Sequence, residues 1–262
     1  MSNKSTIPSL LKLKDYVTLI GTTIGIIALI CASFGNRDAI SLSFFLISIT
    51  LGTDLIDGYI ARKTGTVNEM GKELDSLSDS LTFGIVPAVL TFQAFKTGTY
   101  YDYILAIGSI CFALGAILRL ARFNIITDPG YTGVPTPISC LLMISYFYIN
   151  YFYALAYGGS SYPFLDLAYY SAPVFLIFLG WLNVTTHIKF SEKGKIVYVM
   201  FILLAPLSPI FGIIGLLKPN YIVSITVSMI FLGFFILLFG WVLLHSLILS
   251  LLKRSKEKNN EG

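Results

Sequence analysis

Long apolar runs broken by short polar punctuation dominate the chain. A helix that spans a membrane needs about 20 mostly apolar residues. Eight stretches meet that length, at roughly 16–34, 39–62, 70–95, 101–123, 136–157, 166–187, 195–217 and 221–251. The last is long enough to tilt or to run on past the membrane. Pro173, Pro206 and Pro209 fall inside runs and are expected to kink them. The sequence therefore predicts an all-α fold, a polytopic membrane helical bundle of about eight transmembrane helices. Four sections are expected: a juxtamembrane segment (1–15), a membrane core (16–190), additional C-terminal transmembrane helices (191–252) and a polar tail (253–262) expected to be disordered. No internal repeat is visible, and the N-terminus lacks the layout of a cleavable signal. Ile7, Leu10 and Leu11 are expected on one face of a short surface helix beside Lys12 and Lys14.

Lys and Arg placement gives the orientation, because cytoplasmic loops carry the excess of both. With the N-terminus inside, one side holds Lys4, Lys12, Lys14, Arg62, Lys63, Lys72, Arg119, Arg122, Lys189, Lys193, Lys195, Lys253, Arg254, Lys256 and Lys258. The other side holds Arg37, Lys96 and Lys218. That split fits eight spans with both termini cytoplasmic; a seven- or nine-span arrangement would scramble it. Composition agrees, with 55% hydrophobic and 12% charged residues against about 25% charged in a typical soluble domain. The net charge of +4 follows from topology and gives no reason to expect nucleic acid as a partner. The three cysteines, Cys31, Cys111 and Cys140, show no pairing pattern and read as small buried hydrophobes. No Cys/His cluster suggests zinc.

Against this apolar background four carboxylates stand out: Asp54, Asp57, Asp75 and Asp79. Each costs roughly 2.5–3.5 kcal/mol at mid-helix depth, about 10–14 kcal/mol for all four. Two divalent cations would neutralise them. Asp54 and Asp57 are three residues apart, Asp75 and Asp79 four, so each pair shares one helix face. Asp57 and Asp54 lie five and eight residues before Arg62, roughly 8–12 Å into the membrane at helical rise. The next helix runs back the other way, which puts all four at one level. Oxygen-only donors suit hard cations such as Mg²⁺ or Mn²⁺. Gly58 and Gly71 each lie one turn from an aspartate, and with Ala61 they can clear space for a ligand. Arg62 can meet a phosphate in bidentate fashion. Phosphoryl transfer, metal-dependent hydrolysis and cation transport all remain open on these residues alone.

The stretch from Asp54 to Asp79 reads D-x2-D-G-x2-A-R-x8-G-x3-D-x3-D, and it resembles the signature of the CDP-alcohol phosphatidyltransferase family at all eight fixed positions. The resemblance implies a helical membrane enzyme, usually a homodimer, that displaces CMP from a CDP-linked lipid with an alcohol. It implies that Asp54 and Asp75 bridge two divalent metal ions, Mg²⁺ or Mn²⁺, that Asp57 binds the first and Asp79 the second, and that Asp79 is the general base. Gly58, Ala61, Arg62, Asn68 and Gly71 would cradle the CDP group. Asp15 and Thr18 fall where the family has an Asn and a Thr near the nucleotide. The segment from Leu118 to Pro137, LRLARFNIITDPGYTGVPTP, is similar to the phosphatidylserine synthase branch. That similarity implies L-serine as acceptor, with Arg119, Arg122 and Asn124 beside it, and CDP-diacylglycerol or an ether-linked (archaeol-type) CDP-lipid as donor. Glycerol 3-phosphate or an inositol phosphate is the alternative acceptor, and a divalent-cation transporter the rival of another class. Transport sites tend to lie on broken helices near the midplane, whereas this cluster is expected to be shallow and on helices unbroken at the aspartates.

Overall fold

The computed structural model describes residues 6–65, 69–125, 131–187, 189–190, 207–217 and 219–260. Among these the chain is almost wholly helical. In order come α1 (Ile7–Leu10), α2 (Leu13–Ser33), α3 (Arg37–Thr64), α4 (Glu69–Asp79), a π-helical segment (Ser80–Ile85) and α5 (Val86–Phe95). Then follow α6 (Tyr101–Ile125), β1 (Tyr131–Thr132), α7 (Thr136–Gly158), α8 (Asp166–Val184), β2 (Lys189–Phe190), α9 (Leu207–Leu216) and α10 (Tyr221–Asn260). β1 and β2 form one short antiparallel pairing. Among the described residues six helices are long and apolar enough to cross a membrane: α2, α3 over Arg37–Ala61, α6, α7, α8, and α10 over Tyr221–Leu244. They mark the chain as an integral membrane protein.

Two expected spans look different. Residues 70–95 do not form one uniform helix but α4, the π-helical segment and α5 in succession. Pro87, at the start of α5, has no N–H to give to the preceding turn. The Val86 N–H instead reaches back five residues to the Leu81 carbonyl, and the wider π turn absorbs the missing bond. Of the expected span 195–217, only Leu207–Leu216 lies within a described helix, and Pro206 falls outside the described residues. The polar tail, expected to be disordered, continues α10 to Asn260. Its Lys, Arg and Glu residues are good helix formers, and no Gly or Pro interrupts them before Gly262. The cysteines are free, and Cys140 is buried, but Cys111 is exposed on α6.

α7 forms the centre, with Ile138–Ser145 buried without a break. A helix apolar on every side belongs inside a bundle. α10 packs along one flank of α7, and Phe44 of α3 stacks on its Phe147 at 4.1 Å between centroids. The other close pairs are α2 on α3 and α6 on α8. Both use small residues to bring backbones together. On α2, Gly21, Gly25, Ala28 and Ala32 are buried along one face. A Cβ on Gly25 would stand 2.8 Å from the Thr82 methyl, so only glycine lets α2 approach the π-helical segment. Where α6 crosses α8, a Cβ on Gly115 would stand 2.8 Å from the Cα of Gly180.

Side-chain bonds define the two ends of the bundle. At one end Arg37 donates to the carbonyls of Ser160 and Tyr162 and to the Tyr169 hydroxyl, and lies 4.0 Å over the Phe164 ring. At the other end the start of α2, the end of α3, α4, the end of α6, the start of α7 and the end of α8 come together. The aspartates are at this second end.

Candidate active site

α3 carries Asp54 and Asp57 in its last turns and stops at Gly65, whose φ of +62° closes the helix with an N–H to the Ala61 carbonyl. The chain then returns through α4, which carries Asp75 and ends on Asp79. Asp54, Asp57 and Asp75 each present an oxygen within 4.8 Å of the others. Asp79 lines the same cleft, which is walled by Thr18, Gly21, Thr50, Thr53, Asp54, Asp57, Ser78, Asp79, Thr82 and Phe83. Eight of these ten residues carry a carboxylate or a hydroxyl. Around one Mg²⁺ at roughly 2.1 Å, carboxylate oxygens stand at most about 4.2 Å apart. The three aspartates are therefore a small rotamer adjustment from a ligand set, and their oxygen-only chemistry fits a hard divalent cation.

α2 buttresses the cleft. The Thr18 hydroxyl donates to Asp57 Oδ2 at 2.7 Å, fixing that carboxylate from behind. One turn on, Thr22 Oγ1 is 2.6 Å from Ser78 Oγ on α4. Two more hydroxyls turn back on their own helix, Ser80 to the Ser76 carbonyl and Thr82 to that of Ser78. Thr18 thus sits beside the cluster, and its bond is to a carboxylate. Asp15 is fully buried; its Oδ2 accepts from the Lys12 N–H at 2.7 Å and Oδ1 lies 2.9 Å from Lys14 Nζ. Its visible work is to close the first turn of α2.

Gly58 and Ala61 lie half-buried on α3, and Gly71 is buried on α4. Arg62 is on α3 with its side chain outside the described residues, as is all of Asn68. The three residues expected at the acceptor separate. Arg119 is buried on α6. Arg122 instead donates to main-chain carbonyls, Val184 at 2.7 Å, Thr132 at 2.8 Å and Asn183 at 3.4 Å. It ties the turn before α7 to the end of α8. Val134 N–H to the Leu182 carbonyl and Ser139 to Asn183 Oδ1 complete that tie. Gly133, at φ +80°, passes too close to Asn183 for any side chain. Asn124 Nδ2 bonds the Ser76 hydroxyl at 2.9 Å, one residue from Asp75.

Sequence reading passed over Thr22, Thr50, Thr53 and Ser78, and it set Lys14 among surface cations although it is buried. One signal was available. Thr18, Gly21, Thr22 and Gly25 form a small, polar face on an otherwise apolar helix, and such a face seeks polar partners inside the bundle.

The CDP-alcohol phosphatidyltransferase family model matches residues 11–163, the part of the chain that builds this cleft. A Methanocaldococcus jannaschii protein named CDP-diacylglycerol–serine O-phosphatidyltransferase is 37% identical over 140 residues, 53% of this chain and 62% of that protein. A Methanothermobacter thermautotrophicus archaetidylserine synthase is 34% identical over 158 residues, 59% of this chain and 65% of its own length. A Bacillus subtilis CDP-diacylglycerol–serine O-phosphatidyltransferase is 35% identical over 114 residues, 42% of this chain and 63% of the other. The match spans a little under two thirds of each relative. With the signature intact across α3 and α4 and more than half its length matching the family model, the chain belongs to the CDP-alcohol phosphatidyltransferase family.

Proposed function

We propose that this protein moves a phosphatidyl group, or its ether-lipid equivalent, from a CDP-lipid to L-serine and releases CMP. The observation that carries the reading is the convergence of Asp54, Asp57 and Asp75 within 4.8 Å, in a hydroxyl-lined cleft that Asp79 shares. The names of the three relatives support serine as the acceptor. Asp54, Asp57, Asp75 and Asp79 would hold two divalent cations, Mg²⁺ or Mn²⁺, whose chemistry when bound is to neutralise diphosphate oxygens and the departing CMP. Asp79 takes the proton from the serine hydroxyl. The freed oxygen attacks the lipid-side phosphorus, a P–O bond forms, and the bond to the CMP oxygen breaks. Thr18 keeps Asp57 aimed into the cleft, and Gly58, Ala61, Arg62, Asn68 and Gly71 flank the CDP group. Arg119, buried on α6, is the cation assigned to the serine carboxylate. Arg122, whose donors serve main-chain carbonyls, holds the wall beside it, and Asn124 holds α4 to α6.

The same reading gives the chain eight spans, both termini and the cleft on the cytoplasmic side, and a homodimeric state. It keeps residues 16–190 as the catalytic membrane core. Lys and Arg asymmetry supports the orientation: Lys12, Lys72, Arg119 and Arg122 all belong to the end of the bundle that carries the aspartates. The contrast first drawn with transporters weakens in one respect, since the helix does change pitch directly after Asp79. Family membership and an unduplicated cluster favour transfer chemistry instead. The test is to incubate purified protein with CDP-lipid and a panel of labelled alcohols. Serine-dependent CMP release supports the proposal. Release with glycerol 3-phosphate but not serine would move the chain to a sister activity.

A further inference from the structure

Five hydroxyls line the aspartate cleft: Thr18 from α2, Thr50 and Thr53 from α3, Ser78 from α4 and Thr82 from the π-helical segment. Thr18 holds Asp57. Neither the family signature nor the resemblance gives the other four a task. All but Thr53 are buried, and a buried hydroxyl is costly unless its polar atoms are used.

Their hydrogens are already spent. Thr50 Oγ1 donates to the Ile47 carbonyl at 2.8 Å, Thr53 Oγ1 to that of Thr50 at 2.9 Å and Thr82 Oγ1 to that of Ser78 at 2.9 Å. Thr18 gives its hydrogen to Asp57, with the Lys14 carbonyl at 3.2 Å as a second acceptor. Thr22 donates to the Thr18 carbonyl at 2.9 Å, so in the 2.6 Å contact between Thr22 and Ser78 the hydrogen comes from Ser78. A hydroxyl has one hydrogen and two lone pairs. The five therefore offer lone pairs alone, beside carboxylates that are acceptors themselves when ionised. Such a wall favours a ligand that brings hydrogens and positive charge. The backbone leaves room for it: α2 passes so close at Gly21 that a Cβ there would stand 2.5 Å from Thr53 Oγ1. A threonine in a membrane helix can bond its own backbone with no ligand in view. One such residue would carry nothing, but here they come from four consecutive elements and meet at one acidic cleft.

A hard divalent cation such as Mg²⁺ dehydrates reluctantly and usually keeps several waters. Water on a cation is a strong donor. We propose that the hydroxyls of Thr50, Thr53, Ser78 and Thr82 are an outer shell of the cation site: the aspartates bind the ion directly, and the hydroxyl wall accepts hydrogen bonds from the water the ion keeps. This rests on the reading of the aspartates as a cation site. Cation affinity then depends on neutral residues that never touch the ion. The cation-free fold does not depend on them, because each carbonyl that loses its hydroxyl keeps its helical N–H partner.

The experiment uses purified, chelator-stripped protein. Mn²⁺ binding is read from the loss of the free Mn²⁺ paramagnetic resonance signal, and water on the bound ion from electron–nuclear double resonance in D₂O. Thermal melting is followed in excess chelator and at one fixed Mn²⁺ concentration. The pair Thr50→Val with Thr53→Val should bind Mn²⁺ about tenfold more weakly, the low end of what outer-shell partners govern. Its bound Mn²⁺ should show a weaker water-deuteron signal than in wild type. Its Tm in chelator should match or exceed that of wild type, while the rise in Tm on adding Mn²⁺ shrinks. Thr50→Ser with Thr53→Ser keeps both hydroxyls and should stay close to wild type in all three readings. Thr82→Val approaches the cleft from another element and should move the readings the same way, which guards against a folding failure in α3. Unchanged Mn²⁺ affinity in the valine variants would overturn the proposal, and so would equal losses of Tm with and without Mn²⁺. Weaker binding with an unchanged water signal would also overturn it, because the hydroxyls would then ligate the ion directly. Unchanged Mn²⁺ binding with a raised KM for serine would assign the wall to the serine ammonium instead. Failure of the wild-type protein to bind Mn²⁺ at all would overturn the cation reading of the aspartates, a separate outcome.

Discussion

Replacing Thr18 by valine removes one hydroxyl and almost nothing else. The side chain keeps its shape and its β-branch, and α2 keeps its packing on α3. What disappears is the 2.7 Å bond to Asp57 Oδ2, with a longer 3.2 Å contact to the Lys14 carbonyl. A hydrogen bond to a charged group contributes roughly 1.5–3 kcal/mol, and partners that orient a metal-binding side chain typically govern 10–100-fold of metal affinity. Thr18→Val should therefore raise the Mg²⁺ or Mn²⁺ concentration for half-maximal activity by about 10–100-fold. Turnover at saturating cation should recover most of its wild-type value, since Asp57 can still bind. Thr18→Ser, which keeps the hydroxyl, should stay close to wild type. Thr22→Val loses neutral bonds alone, to Ser78 and to the Thr18 carbonyl, and should shift the cation requirement little. Activity titrated against Mn²⁺ at fixed CDP-lipid reads all three variants. An unchanged Mn²⁺ requirement in Thr18→Val, with a raised KM for CDP-lipid, would refute the reasoning and return Thr18 to a nucleotide-binding role.

Other perturbations separate roles in the same way. Asp79→Asn should bind CDP-lipid and lose turnover by at least about 100-fold, the ordinary worth of a general base; near-normal turnover at neutral pH would contradict the assignment. Arg119→Gln should raise the KM for serine by about 10- to 150-fold, the equivalent of one charge-assisted hydrogen bond, with little effect on the KM for CDP-lipid. Arg122→Gln should act differently: it unties three carbonyls at the ends of α7 and α8, so Tm should fall while the ratio of the two KM values holds. Gly180→Val should lower yield and Tm sharply, because no Cβ fits where α6 crosses α8; a well-folded variant would mean the two helices do not meet as described.

Most of the helical framework could be read from apolar runs, because a membrane segment must satisfy its own backbone and so declares itself by length. The aspartates could be read too, since i,i+3 and i,i+4 spacing settles which face each pair shares. What escaped the sequence depends on contacts between segments. Pro87 announced a disturbance, but whether the helix would kink, stop or widen into a π turn depends on packing of Thr82 against Gly25 of α2 and of Gly84 against Ala116 of α6. Arg122 looked like Arg119 in sequence. Three residues apart on α6, one of them is buried and the other reaches the end of α8. Lys14 looked like a surface anchor beside Lys12, yet two residues along the chain it is buried where Lys12 is exposed.

The central claim is that a serine oxygen becomes the bridging oxygen of the new lipid phosphodiester. L-serine carrying ¹⁸O in its side-chain hydroxyl tests it directly when incubated with protein, CDP-lipid and Mn²⁺. Mass spectrometry should find the label in the serine-containing phospholipid and none in the CMP. CMP released without a labelled lipid, or a serine lipid that has lost its ¹⁸O, would contradict the account.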